Sequence, residues 1–176
     1  MNGYNWNVAG SGLEKMFFGQ ILAILVIIPL VGWIAAIAGL ILFLVGLHEA
    51  AGADEGYRTA FYVQLATLVL SVLSIFVGAL DIFTSILSLV SVYLVCITTA
   101  NLLSAKGDLA MAARGRLVWK INLVCAVVSV VCSVLSIIPV ANLLALVIAV
   151  PAAIAGLVGG ILYLMFLYGS YHSLKY

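Results

Sequence analysis

Hydrophobic residues in this chain run in blocks rather than alternating with polar ones. Six apolar stretches, 13–28, 32–47, 57–77, 80–103, 117–138 and 140–168, are separated by breaks that carry charge, glycine or proline. A helix rises 1.5 Å per residue and a bilayer's hydrocarbon core is ~30 Å thick, so a helical span needs roughly 20 residues. The blocks are close to that length. The pattern therefore predicts an all-α, polytopic membrane protein with six transmembrane helices in one transmembrane domain, 1–176. Three helical hairpins are expected at about 13–50, 57–103 and 117–173, after a polar N-terminal tail at 1–12.

The breaks alternate in character. Those at 48–58 and 104–116 are long and charged, as are the two termini together, whereas 29–32, 78–81 and 139–142 are short and almost uncharged. Six spans place all seven basic residues, Lys15, Arg58, Lys106, Arg114, Arg116, Lys120 and Lys175, on one side. Basic segments beside a span resist translocation, so that side is cytoplasmic. The expectation is a multi-pass protein of the cell inner membrane with both termini in the cytoplasm. The first hairpin is its weakest part, because 17–29 covers only about 18 Å as helix. Merging 16–47 into one long helix would give five spans, but it strands Lys15 and runs a helix through Pro29 and Gly32. A cleaved signal peptide ending near Ala36-Ile37-Ala38 is a further alternative, disfavoured by Glu14 in the n-region.

Composition supports the lipid setting. Of 176 residues, 66% are hydrophobic and 7% charged, and mean hydropathy is +1.35; soluble domains are about half apolar and a quarter charged. Seven Lys and Arg against six Asp and Glu leave a formal charge of +1, too little for a nucleic-acid partner. The expected partners are the lipid bilayer and either another membrane protein or further copies of the chain in a homo-oligomer.

The odd-numbered blocks share a motif. Glu14, Phe17 and Gln20, then Arg58, Phe61 and Gln64, then Arg116, Trp119 and Asn122 repeat charge, aromatic and carboxamide at i, i+3 and i+6. That spacing puts each triplet on one helical stripe. The even-numbered blocks end alike, with Phe43-Leu44-Val45, Tyr93-Leu94-Val95 and Tyr163-Leu164-Met165. The chain thus reads as one hairpin used three times. The ordinary role of the stripe is anchoring, with the charge in water, the ring at the membrane surface and the amide bonding a neighbouring helix. The sharper expectation is that Gln20, Gln64 and Asn122 converge around a pseudo-threefold axis as a polar site.

The run from Gly32 to Leu47, followed by Tyr57-Arg58-Thr59-Ala60-Phe61-Tyr62, resembles a family of small prokaryotic multi-pass membrane proteins known only as a domain of unknown function. The resemblance implies a prokaryotic inner-membrane protein. It implies no activity, cofactor or site residue.

Other candidate chemistry is sparse. His48-Glu49-Ala50-Ala51-Gly52 starts like a helical zinc signature but has Gly where the second His is required. Cys96, Cys125 and Cys132 lie in apolar blocks and read as small buried hydrophobes. Asp81 opens the fourth block, with Ser85 and Ser88 at i+4 and i+7 and Thr84 and Ser91 flanking. These fit either a helix cap continued by packed hydroxyls or a polar path for a cation or small solute. Ala145, Ala149 and Ala153, Ala152, Gly156 and Gly160, and Ser129, Ser133 and Ser136 form small-residue faces suited to close helix packing. Pro151 is expected to kink the last helix. No nucleophile and base pair, carboxylate pair or metal cluster can be assembled, so neither an enzyme nor a cofactor is expected. The leading expectation is a non-catalytic protein that associates with other membrane components. A channel or facilitator built from Asp81, Ser85, Ser88 and the amides is the alternative.

Overall fold

The computed structural model describes residues 5–28, 32–74, 76, 80–135 and 142–175, with side chains at all of these except 27, 81–82, 129–130, 132–135, 142–150 and 152. Among the described residues every regular element is helical. They are α1 (Trp6–Ile24, continued by a 3-10 turn at Leu25–Ile27), α2 (Gly32–Ala50), α3 (Glu55–Ser74), α4 (Leu80–Lys106), α5 (Leu109–Leu135) and α6 (Asn142–Lys175). Among the described residues three stretches are long and apolar enough to cross a membrane: Gly32–Ala50, Phe83–Lys106 and Ala153–Lys175, with mean hydropathies of 1.9, 2.1 and 1.8. All three belong to even-numbered helices. The odd-numbered helices carry the charge, ring and amide stripe, which dilutes their apolar character.

The helices pair as hairpins α1/α2, α3/α4 and α5/α6, and the hairpins close into a ring through α2–α3, α4–α5 and α6–α1 contacts. The α2–α3 joint is the thinnest of these, and α4 also touches α6 directly across the ring. Each motif ring lies at a joint between hairpins. Phe17 meets Tyr168 and Tyr171 of α6 at 5.5 and 5.9 Å, Phe61 meets His48 of α2 at 5.3 Å, and Trp119 meets Tyr93 of α4 at 4.7 Å. The aromatics therefore join one hairpin to the next in addition to any anchoring at a surface.

Close approach is greatest between α1 and α2. A Cβ on Gly19 would sit 2.6 Å from the Gly39 carbonyl oxygen, and one on Gly12 would lie 2.5 Å from that of Gly46. A Cβ on Gly32 would lie 2.6 Å from the Val26 oxygen. Contacts that near cannot accommodate a methyl group. The seven-residue spacing of Gly12 with Gly19, and of Gly39 with Gly46, returns each glycine to the same face after two turns, so the helices run backbone against backbone.

Several boundaries differ from those read in the sequence. Residues 6–12 form the start of α1 and not a polar tail, because Ala9, Gly10 and Gly12 are buried; Gly10 backs onto Lys175 of α6 and Gly12 onto Ala50 of α2. Residues 16–47 are not one long helix, since Ile28 is extended (φ −85°, ψ 116°) and α2 folds back along α1. The charged break 104–116 shrinks to a turn at Gly107 and Asp108. Gly107 has φ +99°, and the Gly107 N–H to Ser104 O (3.1 Å) and Asp108 N–H to Leu103 O (2.9 Å) bonds make this a Schellman ending. Asp108 then caps α5, accepting the Met111 N–H at 3.0 Å. Gly156 and Gly160 do not pack inside the ring, for an added Cβ on either meets nothing within 4 Å. α6 continues as helix through Pro151. The Ser129, Ser133 and Ser136 face, Ala145, Ala149, Ala152 and Cys132 lie outside the described side chains.

Polar staples bind the end of the ring where the termini meet, called the base below. Lys15 pairs with Glu49, joining α1 to α2, and Lys175 pairs with Glu14 at 2.7 Å, joining α6 to α1. Lys106 donates to the Ser173 carbonyl, and the Ser173 hydroxyl donates to Asp108 at 2.8 Å. The partly exposed ion pairs stabilise by ~0–1 kcal/mol each.

Two outcomes are expected. Gly19→Ala should lower stability by ~1–3 kcal/mol through overpacking, whereas Gly156→Ala should be neutral or slightly stabilising; thermal unfolding in detergent compares them. The Asp108 carboxyl is held below its usual pKa, first by the Met111 N–H and then by the Ser173 hydroxyl. A depressed folded-state pKa adds stability above the unfolded value of about 3.9, and that stability is lost as pH falls through the folded value. Melting temperature should therefore drop with acidification below pH ~4, and Asp108→Asn should flatten that part of the profile.

Candidate functional site

The ring encloses a cavity of about 320 Å³ lined from α1, α2, α3, α4 and α6. Its polar groups are Gln20, Gln64, Ser88, Ser91 and Tyr163, and Gly19 and Gly39 form part of the wall between them. The glycine contact that draws α1 against α2 thus also shapes the side of the cavity. Gln20 stands one turn above Phe17 on α1, and Gln64 one turn above Phe61 on α3. Joining the hairpins through these rings turns both amides inward. Among the described residues neither amide has a hydrogen-bond partner.

Below the cavity, towards the base, the interior is closed. Leu13, Met16, Leu47, Tyr57, Val95, Cys96, Leu103 and Leu167 are fully buried there. Within this plug the Tyr57 and Thr99 hydroxyls are hydrogen-bonded at 2.7 Å. Ser170, equally buried, has a hydroxyl with no partner among the described residues. The cavity is therefore a vestibule with a packed floor and not a through-going pore.

Only part of the expected polar site is brought together. Gln20, Gln64 and Ser88 line the vestibule. Asn122 does not: its amide donates to Val118 O of its own helix at 2.9 Å, and Gly159 of α6 lies against it. The threefold convergence fails because α4 meets α6 directly, which shuts α5 out of the centre. Ser85 is exposed on α4 and lies off the lining. Asp81 lies at the start of α4, with its carboxylate outside the described side chains. Tyr163, read in the sequence only as part of a helix ending, is a lining residue; its signal was a hydroxyl placed mid-block in an apolar helix.

Among the described residues no charged side chain lines the vestibule. Two carboxamides, each both donor and acceptor, together with the hydroxyls suit a neutral ligand that donates and accepts hydrogen bonds. Among the described residues no three of His, Cys, Asp and Glu come together to hold a metal; His48 packs on Phe61 and His172 stacks on Tyr168 at 6.4 Å.

No protein-family model, curated protein or solved structure matches the chain, so the site rests on its own residues.

The plug gives a direct check. Tyr57→Phe strands a buried Thr99 hydroxyl and should cost ~1–3 kcal/mol. Ser170→Ala removes a hydroxyl with no partner to lose and should be neutral or stabilising, as read by denaturant unfolding of the purified protein.

Proposed function

We propose that this chain is a six-span protein of the cell inner membrane, with both termini cytoplasmic, that holds a small uncharged polar solute in the vestibule as a facilitator or solute-binding component. The observation carrying the solute is the pair of amides, Gln20 and Gln64, which have no partner among the described residues and face a cavity whose described lining carries no charge. A dry helix clamp would have paired them with each other or with a neighbour.

The membrane setting is supported by the outer surface as well as by the three apolar helices. Trp33 is 74% exposed, Ile34 72% and Phe76 81%, a burden of uncovered apolar groups that soluble monomers avoid. The six-span count is supported by α1 running antiparallel along the whole of α2, from Gly12 beside Gly46 to Val26 beside Gly32. A helix packed along a span crosses the same thickness. The orientation is supported by Lys15, Lys106 and Lys175, which all make their contacts at the base, the side that the distribution of cations marks as cytoplasmic.

A second reading, association with another membrane component or a second copy, draws on Gly156 and Gly160. They lie four residues apart on α6 with open space before them, a spacing that lets helices approach closely in lipid.

Purified protein should show a raised melting temperature with at least one member of a panel of uncharged solutes such as glycerol and urea. Gln20→Leu and Gln64→Leu should each weaken that effect about fivefold, the equivalent of ~1 kcal/mol per hydrogen bond. Proteoliposomes should take up the same solute. A panel without effect, together with a stable dimer or heteromer in native mass spectra, would transfer the argument to the association reading.

A further inference from the structure

A larger hollow lies between α5 and α6, bordered by Phe17 of α1, and holds about 780 Å³. Leu117 and Val118 of α5 and Ile161 and Met165 of α6 form its apolar walls, and among the described residues Arg114 is the one charged group in the lining. Val118 is buried, and the other three wall residues are uncovered: Leu117 is 57% exposed, Ile161 48% and Met165 65%.

Helix register gives the groove a direction. α5 leaves the base with Arg114 one turn before Leu117 and Val118, and α6 returns to it with Tyr168 and Gly169 two turns after Ile161. The cation and the Tyr168 ring therefore lie at the base end, and the aliphatic walls extend away from it. Met111 rests over Gly169 and floors that end. The three lysines near the base are engaged, Lys15 with Glu49, Lys175 with Glu14 and Lys106 with the Ser173 carbonyl. Arg114 differs. It is exposed, and among the described residues it forms no ion pair, acting on Asp108 only at longer range.

We infer that this groove seats one anionic phospholipid, its acyl chain along Leu117, Val118, Ile161 and Met165 and its phosphate on Arg114. The order of groups matches a lipid of the leaflet at the base: an anion-binding fork at headgroup depth, then hydrocarbon. A guanidinium presents paired N–H donors that fit a phosphate in two-point contact, and the apolar walls offer nothing to the polar backbone of a peptide. The inference rests on the membrane-spanning reading and is independent of the solute in the vestibule.

The test uses the full chain in nanodiscs of equal parts phosphatidylglycerol and phosphatidylethanolamine, with native mass spectrometry of the released protein. The wild type should retain one lipid, preferentially phosphatidylglycerol. Arg114→Gln should reduce that preference about fivefold, the factor that corresponds to ~1 kcal/mol for one cation near an anionic headgroup. Arg116→Gln and Lys120→Gln, exposed on the same helix outside the groove, should leave the preference intact. Leu117→Trp, which fills the trough, should lower retention of both lipids. Equal retention of the two lipids by the wild type, or equal losses in all three charge variants, would overturn the site in favour of a diffuse surface effect. A second copy crosslinked into the groove would overturn it too. A chain that fails to enter nanodiscs at all would instead bring down the membrane-spanning reading, which binding of glycerol or urea in detergent does not test.

Discussion

The approach of α1 to α2 at glycine is the contact on which the rest of the arrangement depends. In lipid an apolar side chain gains little by exchanging hydrocarbon for protein, so helices cohere through van der Waals contact at short range and through polar links. Gly12, Gly19, Gly39 and Gly46 remove the side chains that would hold the two backbones apart. The same approach places Gly19 and Gly39 in the vestibule wall, next to Gln20. Cohesion of the first hairpin and the shape of the polar cavity thus have one origin.

The second organising feature is a broken symmetry. Three similar hairpins arranged about an axis would present three amides to the centre. Direct contact between α4 and α6 displaces α5, and Asn122 satisfies its amide on its own helix. The centre is left with two amides, supplemented by hydroxyls from α4 and α6. The result is an uneven polar lining, with amides from α1 and α3 and hydroxyls from α4 and α6 against the apolar Ala36, Leu40 and Phe43 of α2, suited to orienting an asymmetric molecule.

Much of the architecture was legible in the chain because long apolar blocks impose coarse constraints. Apolar block length gave six helices and their pairing into hairpins, and the i, i+3, i+6 stripe marked Phe17, Phe61 and Trp119, which proved to be joints between hairpins. Helix ends were less legible. Residues 6–12 mix Trp6 and Val8 with small and polar residues, two of them glycine, and fall short of an apolar block, yet burial against α2 and α6 makes them helix; no local preference encodes that. The turn at Gly107 and Asp108 was hidden inside a charged stretch that reads equally well as a loop. For the site, Gln20, Gln64 and Ser88 were marked by being polar in apolar surroundings. The exclusion of Asn122 depends on a contact between α4 and α6 that no local pattern records. The glycine spacing of seven was visible but lay among many other small residues.

The unequal joints of the ring have a mechanical consequence. Hairpins α3/α4 and α5/α6 are coupled by a two-residue turn with a left-handed glycine, and α6 is tied to α1 through Glu14 and Lys175. The remaining joint, α2 with α3, has the smallest contact of the three and the longer link, residues 51–54. Compliance in a closed hoop concentrates at its weakest segment. Gln20 stands on one side of that segment and Gln64 on the other, so a molecule bridging the two amides would act as a clasp across the seam, stiffening the hoop when seated and leaving it looser on departure.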